Sequence, residues 1–273
     1  MARVVGVLLL ALPLRALAQG VVVAPHAVYL DHATRTGSIE LYNPGTTPVE
    51  VTIGTQFGYP VSDSTGASTL RLFDTVPDTA PSAADWVMAF PRRVTVGPQA
   101  RQTVRLLGRP PAGLPDGEYW TRIIVAAKGG QVPVTGVDTA RIQVGLSLEI
   151  HTIISLAYRK GAVATGIDLS AVEAHMVGDS LMLSARLHRR GNAAFVGVLR
   201  ATVLDSTDAT LMRMDLPLAV YYDMSPHYVI PIRGSASQAR RVVVEMNTER
   251  DDIDRSLLLP ITPVADTVEV ARR

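Results

Sequence analysis

The sequence predicts an all-β protein built of two sandwich-like units, and three observations carry that reading. Residues 141–159 (RIQVGLSLEIHTIISLAYR) place an aliphatic at every even position through Ile142, Val144, Leu146, Leu148 and Ile150, with Gln143, Gly145, Ser147, Glu149 and His151 between them. That is the period of two of a β-strand. The composition favours sheet, rich in Val, Leu and Thr and punctuated by 21 Gly and 18 Pro, while no long stretch carries a 3.6-residue apolar stripe. Finally, the strand-and-turn grammar of residues 19–159 stops at Lys160-Gly161 and starts again over 160–273.

Taken in order, the chain opens with a leader. Residues 1–18 (MARVVGVLLLALPLRALA) combine Arg3, an apolar run and Ala16-Leu17-Ala18. This is the pattern of a secretory signal peptide with a small-residue cleavage site, too short for a comfortable membrane span. The exported chain is expected to begin near Gln19, to carry no integral membrane segment and to fold in a periplasm. There is no cysteine, which excludes a lipid-bearing cysteine, a disulfide scaffold and thiolate metal sites. The 26 basic and 25 acidic side chains nearly cancel, so no field draws the protein to nucleic acid.

Residues 21–31 (VVVAPHAVYLD) read as one strand. SIELYNP and VEVTIGT follow as two more, punctuated by Pro44-Gly45-Thr46-Thr47-Pro48. Residues 63–85 read as a long surface connection with one short strand over 69–73. Residues 90–107 give a short strand, a Gly-Pro turn and a second strand; residues 119–126 (YWTRIIVA) give another, which pairs with the long strand across the loop at Gly129-Gly130. About seven strands before Arg159 is the spacing of a β-sandwich.

The long strand is about twice the usual length of roughly five to six residues. It reads in two ways: as an edge able to accept another chain's strand, or as a strand shared by two packed sandwiches with all its aliphatics in the core. Beyond Gly161, strands are expected over 181–187, 194–205, 211–222, 227–232, 241–247 and 256–263.

Catalytic, metal-binding and cofactor signatures are missing. The six histidines form neither HxH nor HExxH, there is no GxSxG elbow, and no glycine-rich phosphate loop precedes a Lys-Ser/Thr pair. Asp251-Asp252-Ile253-Asp254 lacks the ligand spacing of a calcium loop. No enzyme, no cofactor and no metal site is expected.

Four pieces, in this order over residues 21–160, resemble the PapD-like family of periplasmic pilus (fimbrial) assembly chaperones: the strand and GSIELYN closing on Asn43; VTVGPQARQTVRL over 94–106; Leu114-Pro115-Asp116 with Glu118-Tyr119-Trp120; and the long alternating strand ending in Tyr158-Arg159. The second unit is similar in size and strand grammar only. The resemblance implies two immunoglobulin-like sandwiches joined in an L, and an ATP-independent chaperone whose long strand lends Leu146, Leu148 and Ile150, with Val144 beyond them, to an incomplete fibre subunit. Its implied partners are pilus or surface-fibre subunits and an outer-membrane usher. The family holds the client's terminal carboxylate with an arginine on the first strand and a lysine on the long strand; the matching positions here are Ala27 and Ser155. His26 and Arg159, nearby in sequence, are the candidate replacements. The alternative is a structural or adhesive sandwich protein of the cell envelope that caps no client.

Overall fold

The computed structural model describes residues 20–132, 146–232, 234 and 236–272. The expected signal peptide at residues 1–18, and Val144 with the rest of 141–145, lie outside the described residues. The first unit contains β1 (Val22–Ala24), β2 (Ala27–Asp31), β3 (Thr36–Tyr42), β4 (Val49–Gln56), β5 (Gly58–Ser62), β6 (Ser68–Leu72), β7 (Val87–Phe90), β8 (Arg93–Val96), β9 (Arg101–Gly108), β10 (Gly117–Val132) and β11 (Leu146–Lys160). Two sheets, β1-β3-β9-β7 and β2-β11-β10-β4-β8, enclose one core, while β5 and β6 form a separate hairpin. Alternation explains the layering: in β9 Val104 and Leu106 point inward and Arg101, Thr103 and Arg105 outward. Ile39, Leu41, Val51, Ile123, Ile154 and Leu156 meet them from the other strands. Each such side chain contributes about 1.5–3 kcal/mol through burial. Asn43 is fully buried, yet its amide donates to the carbonyls of Thr47 (2.8 Å) and Val96 (3.0 Å), so it ties the turn after β3 to β8 at no desolvation penalty.

The second unit contains β12 (Thr165–Val177), β13 (Ser180–Gly191), β14 (Phe195–Leu204), β15 (Thr210–Val220), β16 (Asp223–Met224), β17 (His227–Pro231), β18 (Arg241–Asn247) and β19 (Val264–Arg272). They join in the order β15-β14-β18-β19-β12-β13-β16, with β17 also on β13. The last strand closes the unit by running antiparallel to β18 and parallel to β12. A second, separate core fills it, with Leu181, Leu183, Phe195, Leu199, Val242 and Val244 among its buried members.

The all-β class and the pairing of β10 with β11 are as expected, but Gly129-Gly130 is not the loop between them: both glycines lie inside β10, at a register shift between Lys128 and Gln131. Several other elements differ. Residues 21–31 are two strands in different sheets: β1 pairs with β3 and β2 with β11. Pro25 has no N–H to give a ladder, and the chain crosses between sheets there. The connection over 63–85 is preceded by an unexpected strand, β5, whose Pro60 disguises it as loop. The first unit thus holds eleven strands, not about seven, because several are only three to five residues long. In the second unit β12 was unexpected; its alternation is interrupted by a register shift between Ser170 and Glu173, with Ala171 at φ 47°. Residues 256–263 are not a strand. Arg255–Leu257 forms a 3-10 turn whose N-terminus is capped by the Asp254 carboxylate, and the strand comes later, as β19. Pro260 and Pro263 lack the N–H groups a ladder needs, so the apolar run Leu257-Leu258-Leu259 stays outside a sheet.

Gly161 and Gly66 are among the glycines that close approach requires. Gly161 ends β11 at φ +61°, and a Cβ there would collide with the Asp116 carboxylate. Gly66, at φ +81° in the β5–β6 turn, sits against the His227 ring of the second unit, and its carbonyl accepts a hydrogen bond from the His227 backbone N–H at 2.9 Å. Among the described residues no helix is long and apolar enough to cross a membrane, and no three His, Cys, Asp or Glu side chains gather as a metal site.

Candidate functional site

β11 is the strand on which the site is built. On one side it pairs with β10 along its whole length. On the other it has a partner only at its C-terminal end, where β2 runs parallel to it from Ser155 to Arg159. Among the described residues no strand covers the outer edge over 146–154, a run of about 30 Å at strand rise. Every second backbone N–H and C=O along such an edge points away from the sheet and is open to a further strand.

The faces of β11 divide by parity. Ile154, Leu156 and Tyr158 point into the first core and are fully or almost fully buried. Leu148 and Ile150 lie on the same face but beyond the point where the opposing sheet ends. Leu148 is 42 % exposed, and Ile150 is half-buried against Gly20. One inward-facing row therefore serves two environments: a dry core, and an apolar ledge that the described residues leave open. Leu146 opens the strand. The opposite face carries Glu149, whose carboxylate accepts from His151 (2.7 Å) and Lys128 (3.1 Å), contacts that hold it below the usual carboxylate range. Ile153, 38 % exposed, is the apolar residue on that face.

Where β11 meets β2, a cleft of about 160 Å³ opens between the two units. Its wall contains one row across the sheet: Ala27 of β2, Ser155 of β11 and Arg122 of β10, in direct register. His26 also lines it, as do Tyr29, Glu118, Tyr221, Arg250 and Asp252. The positions matched to the family's cationic pair are thus true neighbours, and the residue beside them on the next strand is a cation.

Arg159 lies at the junction beyond this row. Its Nε donates to Glu118 Oε2 at 2.8 Å, its Nη1 donates to the Leu257 carbonyl at 2.6 Å, and its guanidinium stacks 4.4 Å from the Tyr29 ring centroid. Glu118 is almost fully buried, and its other oxygen accepts from Trp120 Nε1 (2.8 Å) and the Ala194 N–H (3.0 Å). One carboxylate thus joins a strand of the first unit to the chain entering β14 of the second. Aromatic packing completes the junction, with Trp120 edge-on to Tyr221 at 4.7 Å and Tyr59 against Tyr222 at 4.9 Å. Burial pushes the Tyr29 phenol up to about 12, with Arg159 partly opposing the shift.

Sequence reasoning named Leu146, Leu148, Ile150, Val144, Arg159 and His26, quoted Glu118 and Trp120 only as part of a family motif, and overlooked Arg122. The signal was present: even positions 118, 120 and 122 of β10 carry Glu, Trp and Arg, while the odd positions Ile123 and Val125 are core. Three such residues in succession mark a strand face covered by something other than its own sandwich.

Among solved structures, the chain is similar to the YadV chaperone, with 16 % identity and a TM-score of 0.48 over 91 % of this chain and 98 % of that one. It is also similar to the SafB chaperone in a Salmonella enterica complex with the SafA pilin (13 %, TM-score 0.43, 92 % and 97 %) and to the E. coli chaperone DraB (14 %, TM-score 0.42, 84 % and 89 %). No protein-family model and no curated protein sequence matches it.

Proposed function

We propose that this protein is a non-enzymatic, ATP-independent chaperone of the periplasm that stabilises pilus or surface-fibre subunits by offering them the open edge of β11. The observation that carries the reading is the coincidence, on one strand, of a backbone edge and an inward-facing aliphatic row that the described residues leave uncovered. A subunit lacking one strand of its sandwich exposes an apolar groove flanked by unpaired backbone groups. A strand with alternate aliphatics satisfies both needs at once: its N–H and C=O groups complete the ladders, and Leu146, Leu148 and Ile150, with Val144 beyond them, fill the groove. Arg159 is already committed to Glu118 and Leu257 at the domain junction, so client capture relies mainly on strand addition. An outer-membrane usher would take the subunit over afterwards.

The test is co-expression with a pilin subunit that lacks its final strand. Soluble subunit is expected with the wild-type protein and not with Leu148→Glu, because a charge in a dry groove costs several kcal/mol. The isolated variant should melt within about half a kcal/mol of wild type, the range of exposed substitutions. Equal rescue by both proteins would defeat the reading.

A further inference from the structure

A second cavity lies at the C-terminal end of β11, at the opposite end of the strand from the open edge, and shares no residue with the interdomain cleft. It holds about 330 Å³ between three segments distant in the chain: the β2–β3 turn, the proline-rich loop after β9, and the last residue of β11. The turn supplies His32 and Arg35, β11 supplies Lys160, and Pro110, Pro111 and Leu114 give an apolar wall.

The turn is built to present Arg35. This residue adopts φ 58°, a left-handed conformation that a side chain of its size seldom takes, and three hydrogen bonds hold it there. Its N–H donates to the Asp31 carbonyl at 2.7 Å, its carbonyl accepts from the Gly108 N–H at 2.8 Å, and its Nε donates to the His32 carbonyl at 3.0 Å. Nε is thereby fixed, while Nη1 and Nη2 meet no acceptor among the described residues.

A second donor is fixed beside it. Tyr158 is fully buried, and burial raises its phenol above the ordinary range, so the O–H keeps its proton. With no other acceptor among the described residues, it donates to His32 Nδ1 at 2.6 Å, which makes Nε2 the N–H of the neutral ring. The Lys160 ammonium is the third donor: Asp116 takes one of its protons at 3.0 Å, and two remain.

Charge and shape narrow the ligand. Asp116 cancels Lys160, so Arg35 is the surplus cation of the cavity. Asp31, in the same turn, does not line the cavity, and its carboxylate accepts from the Ala33 N–H at 2.7 Å. A single surplus cation suits a single negative charge. Donors arriving from the β2–β3 turn and from β11 suit a tetrahedral oxyanion, whose oxygens point several ways, more than a flat carboxylate. The apolar proline wall leaves room for an organic substituent.

We infer that this cavity binds a phosphate group carrying one negative charge, with Arg35 as its anchor and His32 and Lys160 as further donors. The site goes beyond the chaperone reading and does not rest on it. A small soluble phosphodiester and a lipid headgroup would present the same group.

The experiment uses the intact exported protein, with dimethyl phosphate, a phosphodiester monoanion, and chloride at matched ionic strength as probes. Dimethyl phosphate, and not chloride, is expected to raise the melting temperature and to shift the Arg35 Nε and His32 Nε2 NMR signals saturably. Arg35→Asn should bind about tenfold more weakly or worse while melting with the wild type, because asparagine tolerates the left-handed region. Arg35→Lys, which keeps the charge and loses the fork, should fall between the two. Arg109→Gln removes the same charge from an exposed neighbour that does not line the cavity, and should bind as the wild type does. Equal weakening in Arg35→Asn and Arg109→Gln would reveal a diffuse basic field and overturn the site, as would wild-type affinity in Arg35→Asn or an equal response to chloride.

A second arm identifies the source by flotation with vesicles of phosphatidylglycerol in phosphatidylcholine, against phosphatidylcholine alone. Flotation that needs phosphatidylglycerol, is competed by dimethyl phosphate and is lost in Arg35→Asn assigns the group to a lipid headgroup. No flotation, with the dimethyl phosphate response intact, assigns it to a soluble phosphodiester.

Discussion

Glu118 is the residue whose environment is most demanding. A carboxylate that is almost fully buried is tolerable only because Arg159, the Trp120 indole and the Ala194 N–H all donate to it. Glu118→Gln keeps the shape and removes the charge, leaving Arg159 with the Leu257 carbonyl and the Tyr29 ring. We expect it to cost about 3 kcal/mol in urea unfolding, the low end for breaking a buried pair because Arg159 retains those partners. Tyr29, beside the same pair, sets an alkaline limit. Its phenol ionises near 10 in the unfolded chain and at about 12 in the folded one. Between those values the folded protein keeps a proton that the unfolded chain has lost. Its stabilising contribution is thus complete below pH 10 and fades as pH rises through about 12. Thermal unfolding against pH should show this decline, and Tyr29→Phe should reduce it. A residue will persist, because the Tyr228 phenol, buried in the second unit, is also pushed up to about 12.

β11 shows at the scale of the element what alternation can and cannot reveal. The row Leu148, Ile150, Thr152, Ile154, Leu156 is aliphatic but for Thr152, so the sequence marks one face of a long strand. The division between ledge and core, between Ile150 and Ile154, depends on strands distant in sequence, and Thr152 is its mark in the row. The two environments can be separated by placing one charge in each. Leu156→Glu, at a position 2 % exposed, should prevent folding, whereas Leu148→Glu, at 42 %, should leave circular dichroism and melting nearly unchanged. If both unfold the protein, Leu148 is core and no ledge exists. Elsewhere legibility failed for local reasons. β5 hides behind Pro60, the register shift in β12 breaks its period, and Leu257-Leu258-Leu259 looks like a strand while Asp254 and the prolines hold it in a turn.

For the whole molecule, the two units are joined by contacts that no single stretch announces. Glu118 meets Ala194, Arg159 meets Leu257, Trp120 meets Tyr221, and Gly66 meets His227, each pair far apart in the chain. The all-β class and the long strand were legible because they rest on local periodicity and turn residues. The cleft was not, because it exists only once β2, β10 and β11 lie side by side against the second unit. The central claim is that one edge of one strand is the surface offered to a client. Hydrogen–deuterium exchange with and without a strand-deficient pilin subunit tests it most directly. The account predicts new protection of the backbone amides over 146–154 in wild type, lost in Leu148→Glu, with the β15 edge of the second unit unchanged. Protection of the β15 edge instead, or no protection over 146–154 in a complex that still forms, would contradict it.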